Sequence, residues 1–251
     1  MHWLNEFLKF CRPVSRLTGS EWADAKRFIS LGTTAEPGPW RTYRTPYLQE
    51  PLDAATDKTT EKVVLMCASQ LGKSELLLNV LGYYADQEPS PQLMLQPTVE
   101  MAQAFSKERI APMFRDSPGL AGKLIEGKEG RGTEKKSSTT ILMKHYPGGF
   151  LALVGANSPA GLASRPIRIL LADEVDRYPE SAGKEGDPLK LAVQRTQNFG
   201  NRKLLMVSTP TVVGYSKIHN EFLAGDQREF VVRCPECCQY NELKWENVHW
   251  G

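Results

Sequence analysis

No excess of one charge marks this chain. Its 31 Lys and Arg nearly balance 29 Asp and Glu, leaving a formal net charge of +2 over 251 residues. A contact with nucleic acid must therefore come from a local basic patch rather than from overall charge. Cysteine is scarce, five residues in no paired framework. No secretory leader precedes them, so a reducing compartment is expected. No apolar run approaches the roughly 20 residues that cross a bilayer, and no internal repeat is present. This length buries one large core with at most a small appendage. The opening stretch, His2 to Cys11, is short and amphipathic and suits packing or docking on a partner more than targeting.

What is present is a pair of phosphate-handling segments about a hundred residues apart. The first is Cys67, Ala68, Ser69, Gln70, Leu71, Gly72, Lys73 and Ser74, directly after the apolar run Val63 to Met66. A buried strand feeding a Gly-Lys-Ser turn and then a helix aims backbone N–H groups at nucleotide phosphates. Lys73 neutralises phosphate charge, the Ser74 hydroxyl binds Mg2+, and Gly72 admits the phosphates without a Cβ in the way. The usual first glycine of that loop is Cys67 here, so a chance Gly-Lys-Ser at a strand–helix junction is the competing reading. The second segment, Ile167 to Glu174, is apolar except for Arg168, as in a strand buried within a parallel sheet. At its end Asp173 would hold the metal through water and Glu174 would polarise the attacking water. Together the two segments imply hydrolysis of a nucleoside triphosphate, ATP first among them.

Thr18-Gly-Ser-Glu21 reads as a capping box opening a helix through about Leu31. Residues 1–40 read as an N-terminal arm ending in the proline-rich linker Ala35 to Trp40, and 41–233 as the nucleotide-binding domain. Strands are expected at about 62–67, 91–96, 139–145, 149–154, 167–172, 203–208 and 229–234. Helices are expected at about 73–86, 98–114, 187–198 and 214–224. Their alternation predicts a mainly parallel sheet covered on both faces. Residues 117–138, rich in Gly, Lys, Ser and Thr, read as an exposed loop.

Three segments carry narrower hints. Ser208 and Thr209 end an apolar strand, where they either sense the γ-phosphate and pass its loss to a moving part or simply begin a turn at Pro210. Thr98 reads as an N-cap. Arg165 is either a surface charge or an arginine finger reaching a neighbouring subunit's γ-phosphate.

The order Arg44-Thr-Pro-Tyr47, Ser69-Gln-Leu-Gly-Lys-Ser74, Gln96-Pro-Thr98, Leu170-Leu-Ala-Asp-Glu-Val-Asp176 and Ser208-Thr-Pro-Thr211 resembles the large terminase subunit of tailed phages, in its lambda-like branch. The resemblance runs from about Arg12 to Trp250. It implies a P-loop NTPase of the additional-strand type, a Mg2+- and ATP-dependent motor that pumps double-stranded DNA into a procapsid through its portal in the host cytoplasm. It further implies a ring of subunits on the portal and a small terminase subunit as partner. By residue, it makes Lys73 and Ser74 the phosphate and magnesium contacts and Asp173 the Walker B acid. Glu174 becomes the catalytic carboxylate, Ser208 and Thr209 the coupling segment, and Tyr47 with Gln49 the neighbours of the adenine.

Many terminases carry an Arg inside the phosphate loop, where this chain has Ser69, so Arg165 becomes the better finger. The family's C-terminal nuclease is not represented, so endonuclease activity is expected only of a full-length protein. Residues 234–251 read as the start of a linker or half of a zinc ribbon. Cys234 and Cys237 have the spacing, but zinc needs four ligands, and only Cys238 and His249 stand nearby. The expected state is an unmetallated knuckle. Candidate DNA-gripping residues are Lys123, Lys128, Arg131, Lys135 and Lys136, each of which also reads as a solvated loop charge. Two other classes remain. A helicase-like translocase shares the cradle but needs a second motor domain. A nucleotide-binding interaction module without turnover would fit the missing first glycine but not the intact Lys73, Ser74, Asp173 and Glu174.

Overall fold

The computed structural model describes residues 16–32, 34, 36–125, 139–158, 161 and 165–247. The chain begins with α1 (Gly19–Lys26), β1 (Phe28–Ile29), β2 (Gly38–Pro39) and α2 (Gln49–Thr56). It continues through β3 (Lys62–Met66), α3 (Lys73–Asp86), β4 (Pro91–Gln96), α4 (Val99–Phe105) and α5 (Ala111–Asp116). Then come β5 (Met143–Tyr146), β6 (Gly149–Gly155), β7 (Ile169–Asp173), α6 (Pro188–Gln194) and β8 (Lys203–Ser208). Last are α7 (Lys217–Leu223), β9 (Val231–Arg233) and β10 (Tyr240–Glu242).

The central sheet has the order β3-β8-β7-β4-β6-β5. Every pairing in it is parallel except β5 with β6. Alternation along the strands divides the core in two. Met94, Ile169, Leu171, Leu205 and Val207 join the cluster that also contains α1, α2, α3 and α5. Leu93, Leu95, Leu170, Leu204 and Met206 join the cluster with α6 and Ile218 of α7. Apolar residues at every position of these strands are what burial on both faces demands.

The helix expected over 98–114 is present as α4 and α5 joined by a π-turn at Ser106–Ile110. Pro112, in the first turn of α5, lacks an N–H and crowds the carbonyl four residues back, and a wider turn relieves both. Thr98 caps the start, accepting from Met101 N at 3.2 Å.

Three expectations need correction. The capping box at Thr18 and Glu21 is formed, but its helix ends at Lys26, because Arg27 turns extended and its carbonyl accepts from Trp40 N. The stretch read as an arm contributes to the core, since Trp22 is fully buried and Trp40 nearly so. The strand near 229–234 does not extend the central sheet but pairs with β10 in a separate exposed hairpin. The reason is composition: Val231-Val-Arg233 is too short and too exposed to bury a face.

Asp86 at the end of α3 ties the amino-terminal segment down. It accepts from Trp22 Nε1 at 2.8 Å and Lys26 Nζ at 2.7 Å, and also from Lys123. Burial raises its pKa, but the donors Lys123, Lys26, Trp22 and Gln87 outweigh burial and hold it well below the ordinary value of 3.8. A depressed carboxylate stabilises the fold above its unfolded pKa and loses that contribution as pH falls towards its folded one. Asp86→Asn should therefore cost about 1–3 kcal/mol at neutral pH. Urea midpoints of variant and wild type should converge as the pH is lowered below 3.8.

Candidate nucleotide site

The carboxyl ends of β3, β7 and β8 meet at one place, with the register pairing Met66 to Ser208 and Asp173 to Val207. Cys67 prolongs β3, its N–H donating to Ser208 O at 3.3 Å. It is absent from the residues with positive φ, so this position does not require the glycine that the usual loop has. The loop turns instead at Gln70 (φ 63°) and Gly72 (φ 81°). Gly72 must be glycine: its φ is left-handed, and a Cβ there would meet Leu48 Cδ1 at 2.9 Å. Lys73 and Ser74 then open α3, so the first-turn N–H groups face the space above the sheet.

Lys73 is buried. Its Nζ donates to Ala68 O at 2.9 Å and Thr209 Oγ1 at 2.8 Å, and lies 4.0 Å from Glu174 Oε1. The candidate phosphate lysine, the candidate coupling threonine and the catalytic-carboxylate candidate thus converge. Glu174 has φ 52° and ψ 51°, a left-handed conformation that costs a non-glycine residue about 1–2 kcal/mol. Such strain concentrates where a side chain has to be aimed. Arg177 Nε lies 3.6 Å from its other oxygen.

Asp173 is buried, with Oδ2 accepting from Gln96 Nε2 at 3.0 Å and Oδ1 without a protein partner. Burial pushes its carboxyl up to about 6, with Glu174 adding to the rise and Gln96 and Lys73 opposing it. A buried carboxylate oxygen left open beside a hydroxyl-bearing helix start is suited to a hydrated divalent cation. Ser74 and Asp173 fit Mg2+ on that ground.

Ser208 is fully buried and its Oγ accepts from Asp176 N at 3.2 Å. Asp176 in turn accepts from Thr211 N, Thr211 Oγ1 and Ile218 N at 2.8–2.9 Å. The turn after β8 is therefore tied to the turn after β7. Glu75 is buried next to Ser74 and held by Arg27 at 2.9 Å and Arg109 at 2.8 Å. Sequence reading missed the roles of Gln96, Asp176 and Glu75. A polar residue closing an apolar strand was the available signal for Gln96, and the Asp-Glu-Val-Asp spacing for Asp176.

Tyr47 precedes Leu48, which reaches Gly72 of the loop, and burial, with a smaller contribution from Cys67, raises its pKa. Gln49 begins α2 with an exposed side chain. Arg165 is not brought to this site. Its guanidinium lies 5.8 Å over the Phe150 ring. Phe150 pairs with Pro91 at the start of β4, at the opposite end of the sheet, and three strands separate β6 from β3. Lys123 is engaged by Asp86, while Lys128, Arg131, Lys135, Lys136 and His249 lie outside the described residues. Cys234 and Cys237 flank an exposed turn of the β9–β10 hairpin, in which Cys238 N donates to Cys234 O at 3.0 Å. Among the described residues no third His, Cys, Asp or Glu joins them in a metal-holding group.

A strand inserted between the loop-bearing β3 and the acid-bearing β7 defines a P-loop NTPase of the additional-strand class, β8 being that strand. The chain belongs to the family described as phage terminase large subunit gpA, ATPase domain, whose model matches residues 34–251. It is 26% identical over 233 residues to the large terminase subunits of Enterobacteria phage P21 and of Escherichia phage lambda. These alignments cover 91% of this chain and 35% of each relative, so the chain spans about a third of their length. The crystal structure of the HK97 bacteriophage large terminase shares the fold, with a TM-score of 0.62 at 13% identity, over 83% of this chain and 42% of that one. Among the described residues no helix is long and apolar enough to cross a membrane.

Proposed function

We propose that this chain hydrolyses ATP and that the hydrolysis drives double-stranded DNA into a viral procapsid. The observation that carries this reading is the position of Lys73 Nζ, bonded to Thr209 and 4.0 Å from Glu174. One cation is shared by the phosphate loop, the base and the strand end that follows.

In this reading the loop N–H groups and Lys73 bind the β- and γ-phosphates, and Tyr47 and Gln49 face the adenine. Mg2+ held by Ser74 and Asp173 supplies neutralisation of phosphate charge. Glu174 takes a proton from the attacking water. Phosphate draws Lys73 away from Thr209, so the turn after β8 is held differently with and without the γ-phosphate. Because that turn is tied through Asp176 to α7, the difference is passed to the surface of the domain.

The DNA grip is electrostatic and indifferent to sequence, since a pump must hold every base step. The partners in this reading are the portal of the procapsid and a small terminase subunit, within the host cytoplasm. Arg165 acts from a neighbouring subunit in a ring, which agrees with its exposure and its distance from its own chain's loop.

Turnover by the purified chain, measured against its concentration, tests this. Rate per molecule should rise with concentration, and Arg165→Ala should abolish the rise while ATP binding is unchanged. Binding without turnover at every concentration, with and without DNA, would refute the motor reading.

A further inference from the structure

The segment between α7 and β9 crosses back over the region beside the phosphate loop. Phe230 packs its ring against Tyr47, with centroids 5.9 Å apart and planes at 75°. Two residues earlier, Arg228 forms an ion pair with Glu50, the residue after Gln49. Residues 228–230 and 47–50 are thus cross-linked twice. Tyr47 leads into Leu48, which is buried and reaches Gly72 of the loop. Phe230 remains 45% exposed, so its ring is not consumed by packing. Gln49 makes no side-chain hydrogen bond among the described residues and is exposed.

Two aromatic rings and a free amide beside a phosphate loop form a site with a definite chemical preference. A purine base offers a π-face for stacking. A carboxamide both donates and accepts, which matches the adjacent donor and acceptor on an adenine edge rather than the two acceptors of guanine. We propose that Phe230 is a base-contacting residue whose exposed face, beside Tyr47 and with Gln49, receives adenine. This rests on the reading of the loop as an ATP site and adds to it a residue more than 150 positions from the loop in sequence.

The test compares the affinities of the purified chain for ATP, GTP and inorganic tripolyphosphate, in wild type, Phe230→Ala and Phe230→Tyr. Loss of one base-stacking ring lowers affinity by about tenfold. Phe230→Ala should lose that for ATP, keep the wild-type affinity for tripolyphosphate, and be restored by Phe230→Tyr. Equal ATP affinity in wild type and Phe230→Ala overturns the inference, as does an equal fall for ATP and tripolyphosphate, which would mean that the ring only supports the loop. If wild type holds ATP no more tightly than tripolyphosphate, the base site itself is absent and the inference falls with it. If tripolyphosphate does not bind either, the phosphate-loop reading has failed as well. Because Phe230 is half exposed, the variants should melt close to wild type.

Discussion

Glu174→Gln should lower ATP turnover by about 10²–10⁴-fold, the usual contribution of a positioned general base, and leave nucleotide affinity close to wild type. The substitution keeps the size and the left-handed backbone of the residue and removes only its basicity, so a fall in rate cannot be assigned to a reshaped loop. Lys73 at 4.0 Å and Arg177 at 3.6 Å flank the carboxylate. The two other acids of this turn are already engaged. Asp173 is buried against Gln96 and suits the metal, and Asp176 is occupied by Thr211 and Ile218. Single-turnover hydrolysis beside equilibrium binding separates the two quantities. Retained turnover in Glu174→Gln would place the base elsewhere, while joint loss of binding and turnover would make Glu174 a loop-organising residue.

Trp22→Ala should cost about 3–5 kcal/mol of folding stability, the range for deleting a large buried aromatic. Trp22 is fully buried, and it lies so close to α3 that a Cβ on Gly82 would stand 2.3 Å from its ring. Its ring also meets Tyr83 edge-on at 6.5 Å, and its indole N–H donates to Asp86. Truncation therefore opens a cavity and removes a donor from a carboxylate that is little exposed. Against a typical total of about 5–15 kcal/mol, that loss brings the domain near its unfolding limit. Urea titration reads it directly. ATP with Mg2+ should recover part of the loss, because a ligand that binds only the folded form stabilises it by mass action. Gly82→Ala should destabilise through crowding at the same contact, by about 1–3 kcal/mol.

The parts of the fold that were plain in the sequence share one property: a buried apolar run between strong punctuation. The strands at 62–67, 91–96 and 203–208 and the helix at 73–86 differ from the observed elements by a residue at most. In each, hydrophobic burial and local propensity agree. Helix α2 was not legible, because Pro46 and Pro51 hide it, although proline is tolerated in a first turn. Burial of Trp22 depends on a glycine sixty residues later, which no local pattern announces. The convergence of Lys73, Thr209 and Glu174 was readable as three motifs but not as one set of contacts. The position of Arg165 at the far end of the sheet follows from strand order, which alternation alone leaves open.

The inserted strand β8 has one further consequence. It is laced along its whole length to β3 on one side and β7 on the other, so it behaves as a beam clamped at both edges and cannot slide or tilt by itself. Displacement is left to the turn that follows, Thr209 to Ser216, which is tethered at Thr211 to Asp176 and in which Val212, Val213 and Tyr215 stand 63–85% exposed. In the proposed motor, a stiff mount with a short compliant end would convert a small change of force at Lys73 into movement of that apolar tip. In the proposed motor the work of each cycle would be delivered at the tip, while the sheet itself stays still.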